Sequence, residues 1–231
     1  MPQVPPPKRH PYDQWSPDAR ALDLVGDKWT LLIVRDLAAG PRRFVELQRV
    51  LPGISTEQLR SRLNRMVADG MLTRKRYREV PPRVDYELTA RARDLMPILA
   101  ELARWGYQWA WSVPRSNERI DLGAMFRLAR GLIEVAGAQG EVELTVSGGA
   151  RDGGEAIFTI ALLGDCSEVR EEPSQSADTR ISGDVQAWVR AFSPESDRGG
   201  LSVHGDHALA DTVLDGLSLH GTVAGRARHA A

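Results

Sequence analysis

The sequence predicts an α+β protein made of two domains of different character. The chain has 231 residues, enough for one large domain or two small ones. Its first half reads as helices followed by one pair of strands, whereas its second half alternates strands with helices. The charge divides as well. Residues 1–112 hold 19 Lys and Arg against 13 Asp and Glu, and residues 113–231 hold 11 against 18.

The composition excludes several classes of protein. With 42% hydrophobic and 26% charged residues the chain matches soluble globular proteins, so wholesale disorder is excluded. Apolar runs such as 31–34 and 160–163 are far shorter than the roughly 18 residues that cross a bilayer. The proline-rich start lacks the apolar core of a secretory signal. We therefore expect no membrane segment and a cytoplasmic protein. Cys166 is the only cysteine, which excludes an intramolecular disulfide.

The first half begins with residues 1–15, a proline-rich stretch that reads as a flexible arm. Four helices are predicted next, each bounded by residues that cap a helix, break it or mark its apolar face. These residues are Ser16 and Gly26 for the first helix, Asp27 and Gly40 for the second, Phe44 and Leu51 for the third, and Ser55 and Gly70 for the fourth.

Two strand-like runs, 71–77 and 84–88, follow the fourth helix and predict a β-hairpin with a basic tip. Thr89 then caps a long helix that is predicted to reach about residue 111. Its apolar stripe is too long for a small domain to cover, so we expect it to meet a second copy of the chain. The candidate dimerisation residues of this helix are Leu95, Leu99, Leu102, Trp105 and Trp109.

The second half is predicted to be an α+β domain at 121–220, reached through a linker at 113–120 that contains Pro114. Residues 221–231 read as a tail. Within the domain the pattern predicts a helix at 122–136, strands at 142–147 and 156–163, a strand and a helix within 177–192, a strand at 201–204 and a helix from 206 to about 217.

The element order of the first half is that of a winged helix-turn-helix, in which the fourth helix enters the major groove of DNA. At about 100° per residue its apolar residues fall on one side, which leaves Gln58, Ser61 and Arg65 facing outward. These side chains are suited to reading base edges. The backbone N–H groups at Ser55 and Thr56 can bind a phosphate.

Arginines that surround the fourth helix and the hairpin complete the predicted contacts with double-stranded DNA. An amphipathic helix with a polar outer face is common in any globular protein, and a basic hairpin can equally be a solvated edge. The order of helix, basic hairpin and long terminal helix favours DNA binding over an ordinary amphipathic helix next to a solvated hairpin edge. The added candidates are Arg42, Arg43, Arg62, Arg76, Arg78 and Arg83.

Several ordered segments carry a family resemblance. They are residues 21–37 (ALDLVGDKWTLLIVRDL), 51–56 (LPGIST) and 82–89 (PRVDYELT). With them, residues 16–111 resemble the HxlR-type winged helix-turn-helix transcriptional regulators. The resemblance implies a homodimer that joins through its first and last helices, which adds Leu22 to the candidate dimerisation residues. It also implies that the dimer recognises an inverted-repeat operator.

The same resemblance exposes one departure. Many relatives carry a sensing cysteine just before the proline that opens the first helix, but Ser16 stands there in this chain. A hydroxyl cannot act as a thiolate sensor, so the signal has to enter elsewhere.

Two segments of the second half, 177–184 (ADTRISGD) and 200–206 (GLSVHGD), run from a strand through Gly-Asp into a helix. With them, residues 121–220 resemble a sterol-carrier-protein-2-like domain. Such a domain often encloses an apolar cavity. Here the cavity is either an effector pocket for an apolar small molecule or filled and purely structural.

Other chemistry finds little support in the sequence. His204, Asp206 and His207 lie on a strand-to-helix turn, where ligands usually diverge, so no metal site is expected. The glycine-rich stretch 148–154 lacks the Gly-Lys-Ser/Thr ending of a phosphate loop. No constellation of His, Cys and Ser suggests a nucleophile. We expect no cofactor and no enzymatic activity.

The function expected is therefore that of a homodimeric, DNA-binding transcriptional repressor controlled by an apolar small molecule. Repression is expected because a dimer over a promoter most simply excludes polymerase. The alternative is a small-molecule carrier or assembly module in which the winged helix serves only dimerisation. Salt-dependent DNA binding separates the two, since a carrier would lack it.

Overall fold

The structure, a computed structural model, describes residues 11–78, 82–150 and 153–218. The tail at 221–231 and most of the arm at 1–15 lie outside the described residues. The chain divides into two compact units, Met1–Leu95 and Met96–Ala231, here called the N-terminal and the C-terminal unit.

The N-terminal unit contains the predicted helices and hairpin, with one short strand in addition. Strand β1 pairs with β3, so the hairpin becomes a three-stranded antiparallel sheet of order β1-β3-β2. Sequence analysis missed β1 because two residues show no alternation from which a strand can be recognised. In chain order the elements are α1 (Pro17–Val25), α2 (Thr30–Asp36), β1 (Arg42–Arg43), α3 (Phe44–Val50), α4 (Thr56–Ala68), β2 (Leu72–Tyr77), β3 (Arg83–Leu88) and α5 (Ala90–Arg93).

Helices α1 and α4 begin at the predicted capping residues. Ser16 Oγ accepts a hydrogen bond from the backbone N–H of Ala19 at 3.3 Å. At α4, Ser55 Oγ accepts from the backbone N–H of Gln58, and Gln58 Oε1 accepts from that of Ser55, both at 3.1 Å. Such reciprocal bonds satisfy backbone donors that the first turn of a helix leaves unpaired. Both predicted helix starts are therefore confirmed.

The prediction of one continuous helix after Thr89 is wrong. Helix α5 ends at Arg93, and a separate helix, α6 (Met96–Ala110), begins three residues later. Pro97 explains the break. Inside a continuous helix its ring would collide with the carbonyl group of Arg93, and it has no N–H to donate. At the start of a new helix neither problem arises.

The C-terminal unit begins with α6, whereas the sequence analysis drew the domain boundary after that helix, at 113–120. The predicted helix at 122–136 consists of two short helices, and strand β6 was missed because serine occupies one of its inward positions. After α6 the elements are α7 (Leu122–Phe126), α8 (Ala129–Leu132), β4 (Gln139–Ser147), β5 (Ala156–Leu163), β6 (Ser167–Arg170), β7 (Thr179–Asp184), α9 (Val185–Ala191), β8 (Ser202–Gly205) and α10 (His207–Ser218).

The strands of the C-terminal unit form one mixed sheet of order β6-β5-β4-β7-β8. Neighbouring strands β4 and β7 are parallel, and the other neighbours are antiparallel. The sheet with its helices confirms the α+β class predicted for this part of the chain.

Aromatic side chains fill the core of the C-terminal unit. The Phe126 ring lies 5.0 Å from the rings of Phe158 and Trp188 and 6.1 Å from that of Phe192, in edge-to-face arrangements. Trp188 is fully buried, and its indole N–H donates a hydrogen bond to the carbonyl oxygen of Thr145 on β4 at 3.0 Å. The space that these four rings occupy is filled and is closed to a ligand.

The two Gly-Asp segments end β7 and β8 in the same manner. Asp184 Oδ1 accepts a hydrogen bond from the backbone N–H of Ala187 at 2.7 Å and thereby caps α9. Asp206 Oδ1 accepts from the backbone N–H groups of Ala208 and Leu209 at 2.8 and 3.2 Å at the start of α10. A carboxylate at this position also interacts favourably with the helix dipole.

Gly205 is the residue of this turn that has to be glycine. Its φ is +109°, and a Cβ atom there would lie 2.1 Å from the backbone oxygen of Asp178. We expect Gly205→Ala to destabilise the C-terminal unit by more than about 3 kcal/mol, because it adds a backbone clash to an unfavourable φ. The measurement is urea unfolding followed by circular dichroism.

The matched control is Gly137→Ala. Gly137 also has a positive φ, +87°, but a Cβ atom there would meet no heavy atom within 4 Å. Its expected cost is about 1–2 kcal/mol, the cost of the backbone conformation alone. Equal losses in the two variants would contradict the steric argument.

Candidate nucleic-acid interface

Helix α4 has one buried and one outward side, as its sequence predicts. Leu59, Leu63 and Met66 are at most 1% exposed, which fixes the rotation of the helix about its axis. The opposite side carries polar side chains that are exposed or half-exposed. They are Glu57, Gln58, Ser61, Asn64 and Arg65.

The start of α4 is tied to the preceding helix. Thr56 Oγ1 accepts a hydrogen bond from Gln48 Nε2 of α3 at 2.8 Å, and Ser55 forms the capping box described above. Both predicted phosphate-binding residues are exposed, and both already use their hydroxyl groups within the chain. Their side chains therefore hold the turn between α3 and α4. The first turn of α4 is the N-terminal, positive end of the helix dipole.

Asp27 links the start of α2 to α4. Its carboxylate accepts hydrogen bonds from the backbone N–H groups of Trp29 and Thr30 at 2.9 and 3.1 Å and from the Thr30 hydroxyl. The same carboxylate forms a 2.8 Å ion pair with Arg62 of α4. Burial lowers the pKa of the Arg62 guanidinium, and Asp27 counteracts that shift. Arg62 thus holds α4 in place, and its predicted contact with DNA stays a prediction.

A second carboxylate, Asp85 of β3, organises the arginines of the sheet. It is 1% exposed, accepts two hydrogen bonds of 2.9 Å and one of 2.6 Å from the Arg83 guanidinium, and lies 4.0 Å from the Arg43 guanidinium. The Arg83 guanidinium also lies 5.2 Å from the centre of the Tyr77 ring. Sequence reasoning missed Asp85, although its spacing of two from Arg83 places both on one face of the strand.

Arg42 has an internal bond as well. Its Nε donates to the carbonyl oxygen of Asp36, the last residue of α2, at 2.7 Å. A cation at the end of a helix satisfies a carbonyl group that the helix leaves unpaired. The predicted contact of Arg42 with DNA stays a prediction.

Strand β2 carries the exposed basic surface of the sheet. Arg74, Arg76 and Arg78 are exposed, whereas Lys75 forms a 2.5 Å ion pair with Glu87. The hydrogen bond with Glu87 raises the pKa of Lys75. The turn at 79–81 lies outside the described residues. Arg76 and Arg78 are therefore predicted DNA contacts that are exposed on this sheet.

The predicted dimerisation residues fall into two groups. Leu99 is 5% exposed and belongs to the inner side of α6, while Leu95 is half-exposed and precedes the helix. The outer side carries large apolar residues that are 51–69% exposed and spaced by four, three and four positions. We call them the α6 stripe; its residues are Ile98, Leu102, Trp105 and Trp109. Leu22 of α1 is 48% exposed.

Within 11–78, 82–150 and 153–218, no group of three or more His, Cys, Asp and Glu side chains could hold a metal ion. The Cys166 thiol is half-exposed, and burial together with Asp165 raises its pKa. It is therefore a weak nucleophile at neutral pH. The helices of the same residues include none with the length and apolar character needed to cross a bilayer.

Comparison with known proteins identifies the family to which the first half of the chain is similar. Residues 24–113 match the family described as HxlR-like helix-turn-helix. An HTH-type transcriptional regulator of Synechocystis is 41% identical over 93 residues, which are 40% of this chain and 69% of that protein. One of Halalkalibacterium halodurans is 45% identical over 94 residues, covering 40% of this chain and 83% of that protein. The chain belongs to the HxlR-like helix-turn-helix family of transcriptional regulators.

Membership of the HxlR-like family confirms the winged helix-turn-helix predicted for the N-terminal part. Among solved structures, the redox regulator HypR in its reduced form is 36% identical to this chain. The match covers 40% of this chain and 92% of the HypR chain, with a TM-score of 0.39. The family match ends at residue 113, so it includes α6 but none of the strands of the C-terminal unit.

The role of Asp27 can be tested by two substitutions. Asp27→Ala removes the hydrogen bonds to Trp29 and Thr30 and the ion pair with Arg62, and we expect it to lower the free energy of unfolding by about 2–3 kcal/mol. Asp27→Asn keeps an accepting oxygen and loses only the charge, so its expected cost is about 1 kcal/mol. Urea unfolding at neutral pH measures both. Equal costs would mean that the hydrogen bonds of Asp27 to this turn contribute nothing.

Proposed function

We propose that the chain is a homodimeric transcriptional repressor of the HxlR type. In this proposal the N-terminal unit binds an inverted-repeat operator, and a sterol-carrier-protein-2-like domain at residues 121–220 binds an apolar small molecule that controls repression. The observation that carries the DNA-binding part is α4, which combines a fixed rotation and a capped start with an outward polar face, followed by an exposed basic strand.

Recognition of the DNA sequence is assigned to three residues of α4. Gln58, Ser61 and Arg65 follow one another at spacings of three and four, so they lie on one side of the helix. The Gln58 Oε1 atom is held by the backbone N–H of Ser55, which directs the Nε2 amide as donor to a base acceptor. Arg65 is the residue type that reads guanine, and Ser61 can donate or accept.

Phosphate contacts are assigned to the exposed ends of the sheet and to the start of α4. Arg76 and Arg78 supply charge on β2 and after it, and Thr56 offers a backbone N–H group, whereas that of Ser55 donates to Gln58 Oε1. Such contacts add affinity for any sequence and fix how the protein sits on the duplex.

Dimerisation is assigned to the α6 stripe. Four neighbouring large apolar side chains in water are unusual for a monomer, and a second copy of the same helix offers a matching surface. A two-fold dimer carries two α4 helices and therefore recognises two half-sites in opposite orientation. Occupation of a promoter by such a dimer blocks polymerase, which is the basis for proposing repression.

The proposed nature of the C-terminal unit is supported by its two Gly-Asp turns. Both end a strand of the same sheet, and in both the aspartate caps the following helix. This repetition is the pattern on which the resemblance to a sterol-carrier-protein-2-like domain was based.

DNA binding is tested by its dependence on salt. We expect Arg76→Ala and Arg78→Ala each to weaken binding to all sequences alike and to lower the slope of log affinity against log salt by about one. Fluorescence anisotropy would be measured with the full-length chain, using DNA from upstream of its own gene and scrambled DNA. Arg130→Ala, an exposed position on α8 of the C-terminal unit, is the control and should leave the slope unchanged.

Two results would contradict the proposal at different points. Unchanged slopes in both sheet variants would remove the basic strand from the interface. Absence of any salt-dependent binding by the unmodified chain would contradict a DNA-binding function and favour the carrier reading.

A further inference from the structure

The C-terminal unit has a cleft of about 440 Å³ outside its filled aromatic core. It lies between the second half of α6, the segment that joins α6 to α7, and helices α7 and α9. Helix α6 contributes Ala103, Gly106 and Tyr107, the joining segment contributes Trp111, and Met125 and Phe192 line the far side. All of these residues belong to one unit of the chain.

The walls of the cleft are mostly apolar and aromatic, and Glu118, Arg119 and Asp121 also line it. The rings of Tyr107 and Trp111 lie 5.1 Å apart at an angle of 51°, and Phe192, a member of the aromatic core, is 4% exposed. Small residues on α6, Ala103 and Gly106, leave the helix backbone open to close approach. Flat aromatic molecules gain most from such walls because offset stacking adds to apolar burial.

Acidic groups at the edge of the cleft are already used within the chain. Asp121 accepts a hydrogen bond from the backbone N–H of Ala124 at 3.1 Å and lies 3.6 Å from the Arg127 guanidinium. Glu118 accepts from the backbone N–H of Arg115 at 3.2 Å. These carboxylates are therefore poor partners for a ligand cation.

The phenol at the edge is neutral at physiological pH. Burial raises the pKa of Tyr107, and the charge of Glu195 raises it further. A neutral phenol supplies a hydrogen-bond donor and acceptor to a ligand but no charge.

We propose that this cleft binds an uncharged aromatic molecule and is the effector site of the regulator. Its volume falls within the range of about 300–1,000 Å³ found for sites of small organic ligands. Binding itself requires only the cleft. The effector role rests on the proposed function, because it presumes that α6 joins two chains.

Because the cleft lies on α6, a bound ligand can affect the proposed dimer contact through this helix. Along the helix, each of three stripe residues is followed directly by a residue that lines the cleft. The three pairs are Leu102 with Ala103, Trp105 with Gly106, and Trp109 with Ala110. Any movement of α6 that accommodates a ligand therefore moves the stripe as well. A ligand that prefers one position of α6 shifts the dimer equilibrium toward that position.

The site can be filled by substitution without disturbing the fold. A Cβ atom at Gly106 would meet no heavy atom within 4 Å, so a leucine there extends into the cleft. Leucine is also a better helix former than glycine, which protects α6 from unfolding. Gly106→Leu is therefore the blocking variant. Gly106→Ala improves the helix in the same manner but leaves most of the cleft open, which makes it the matched control.

The probe for binding is N-phenyl-1-naphthylamine, an uncharged aromatic amine whose fluorescence rises in apolar surroundings. Titrated into the full-length chain, it should bind saturably with one molecule per chain. We expect the dissociation constant to stay within about twofold in Gly106→Ala and to rise at least about tenfold in Gly106→Leu. Equal binding in all three proteins, or no saturable binding to the unmodified chain, would overturn the site.

The effector role has its own measurement. The dissociation constant of the dimer, from sedimentation, should change at least about threefold when the unmodified chain is saturated with the probe, and it should not change in Gly106→Leu. No change in the unmodified chain would overturn the effector role. Binding of the unliganded chain to DNA, measured on the same samples, keeps the two proposals apart: normal DNA binding without probe binding overturns the cleft alone.

Discussion

Helix α6 has apolar side chains on two sides, and the residues that the structure describes cover only one of them. The covered side packs so closely on α8 that a Cβ atom at Gly131 would lie 2.7 Å from the backbone oxygen of Met96 and 2.8 Å from the Cβ of Ala100. Arg104 strengthens this contact by donating to the carbonyl oxygens of Gly131 and Leu132 at 3.3 and 3.4 Å. The rotation of α6 is thereby fixed, and the stripe has to face away from the contact with α8.

The proposed dimer follows from that constraint. Burying an apolar side chain as large as tryptophan is favourable, and a second α6 offers a surface of the same kind. In the proposed dimer two N-terminal units are joined, as the recognition of an inverted repeat would require. The same helix forms one wall of the cleft, so a single rigid element takes part in the proposed dimer and in the proposed ligand site.

Local features of the fold could be predicted from the sequence, and features set by distant residues could not. The caps at Ser16 and Ser55 depend on residues three positions away, which is why both helix starts were found. Strand β1 exists only because it pairs with β3, more than forty residues later, and nothing within Arg42 and Arg43 reveals that pairing. The helix break before Pro97 could be predicted in principle, because the proline that causes it is present in the sequence. The regular spacing of apolar residues around Pro97 nevertheless led to the prediction of a continuous helix.

The candidate interface shows the same division. The outward face of α4 follows from helical periodicity and was placed correctly relative to its buried side. The two carboxylates that hold arginines, Asp27 and Asp85, were not recognised as such, because an ion pair between elements depends on tertiary packing. Leu99 was assigned to the partner surface for a related reason. The sequence shows that α6 is apolar over a wide arc but does not show which part α8 covers.

Sedimentation of the full-length chain shows whether a second copy covers the α6 stripe. We expect the unmodified chain to sediment at twice its mass of 25.5 kDa and the double variant Trp105→Glu, Trp109→Glu to sediment at 25.5 kDa with an unchanged circular dichroism spectrum. Leu163→Glu is the control, since Leu163 is 50% exposed but lies on β5, outside α1 and α6, and this variant should remain dimeric. A monomeric unmodified chain, or a double variant that is still a dimer, would contradict the account.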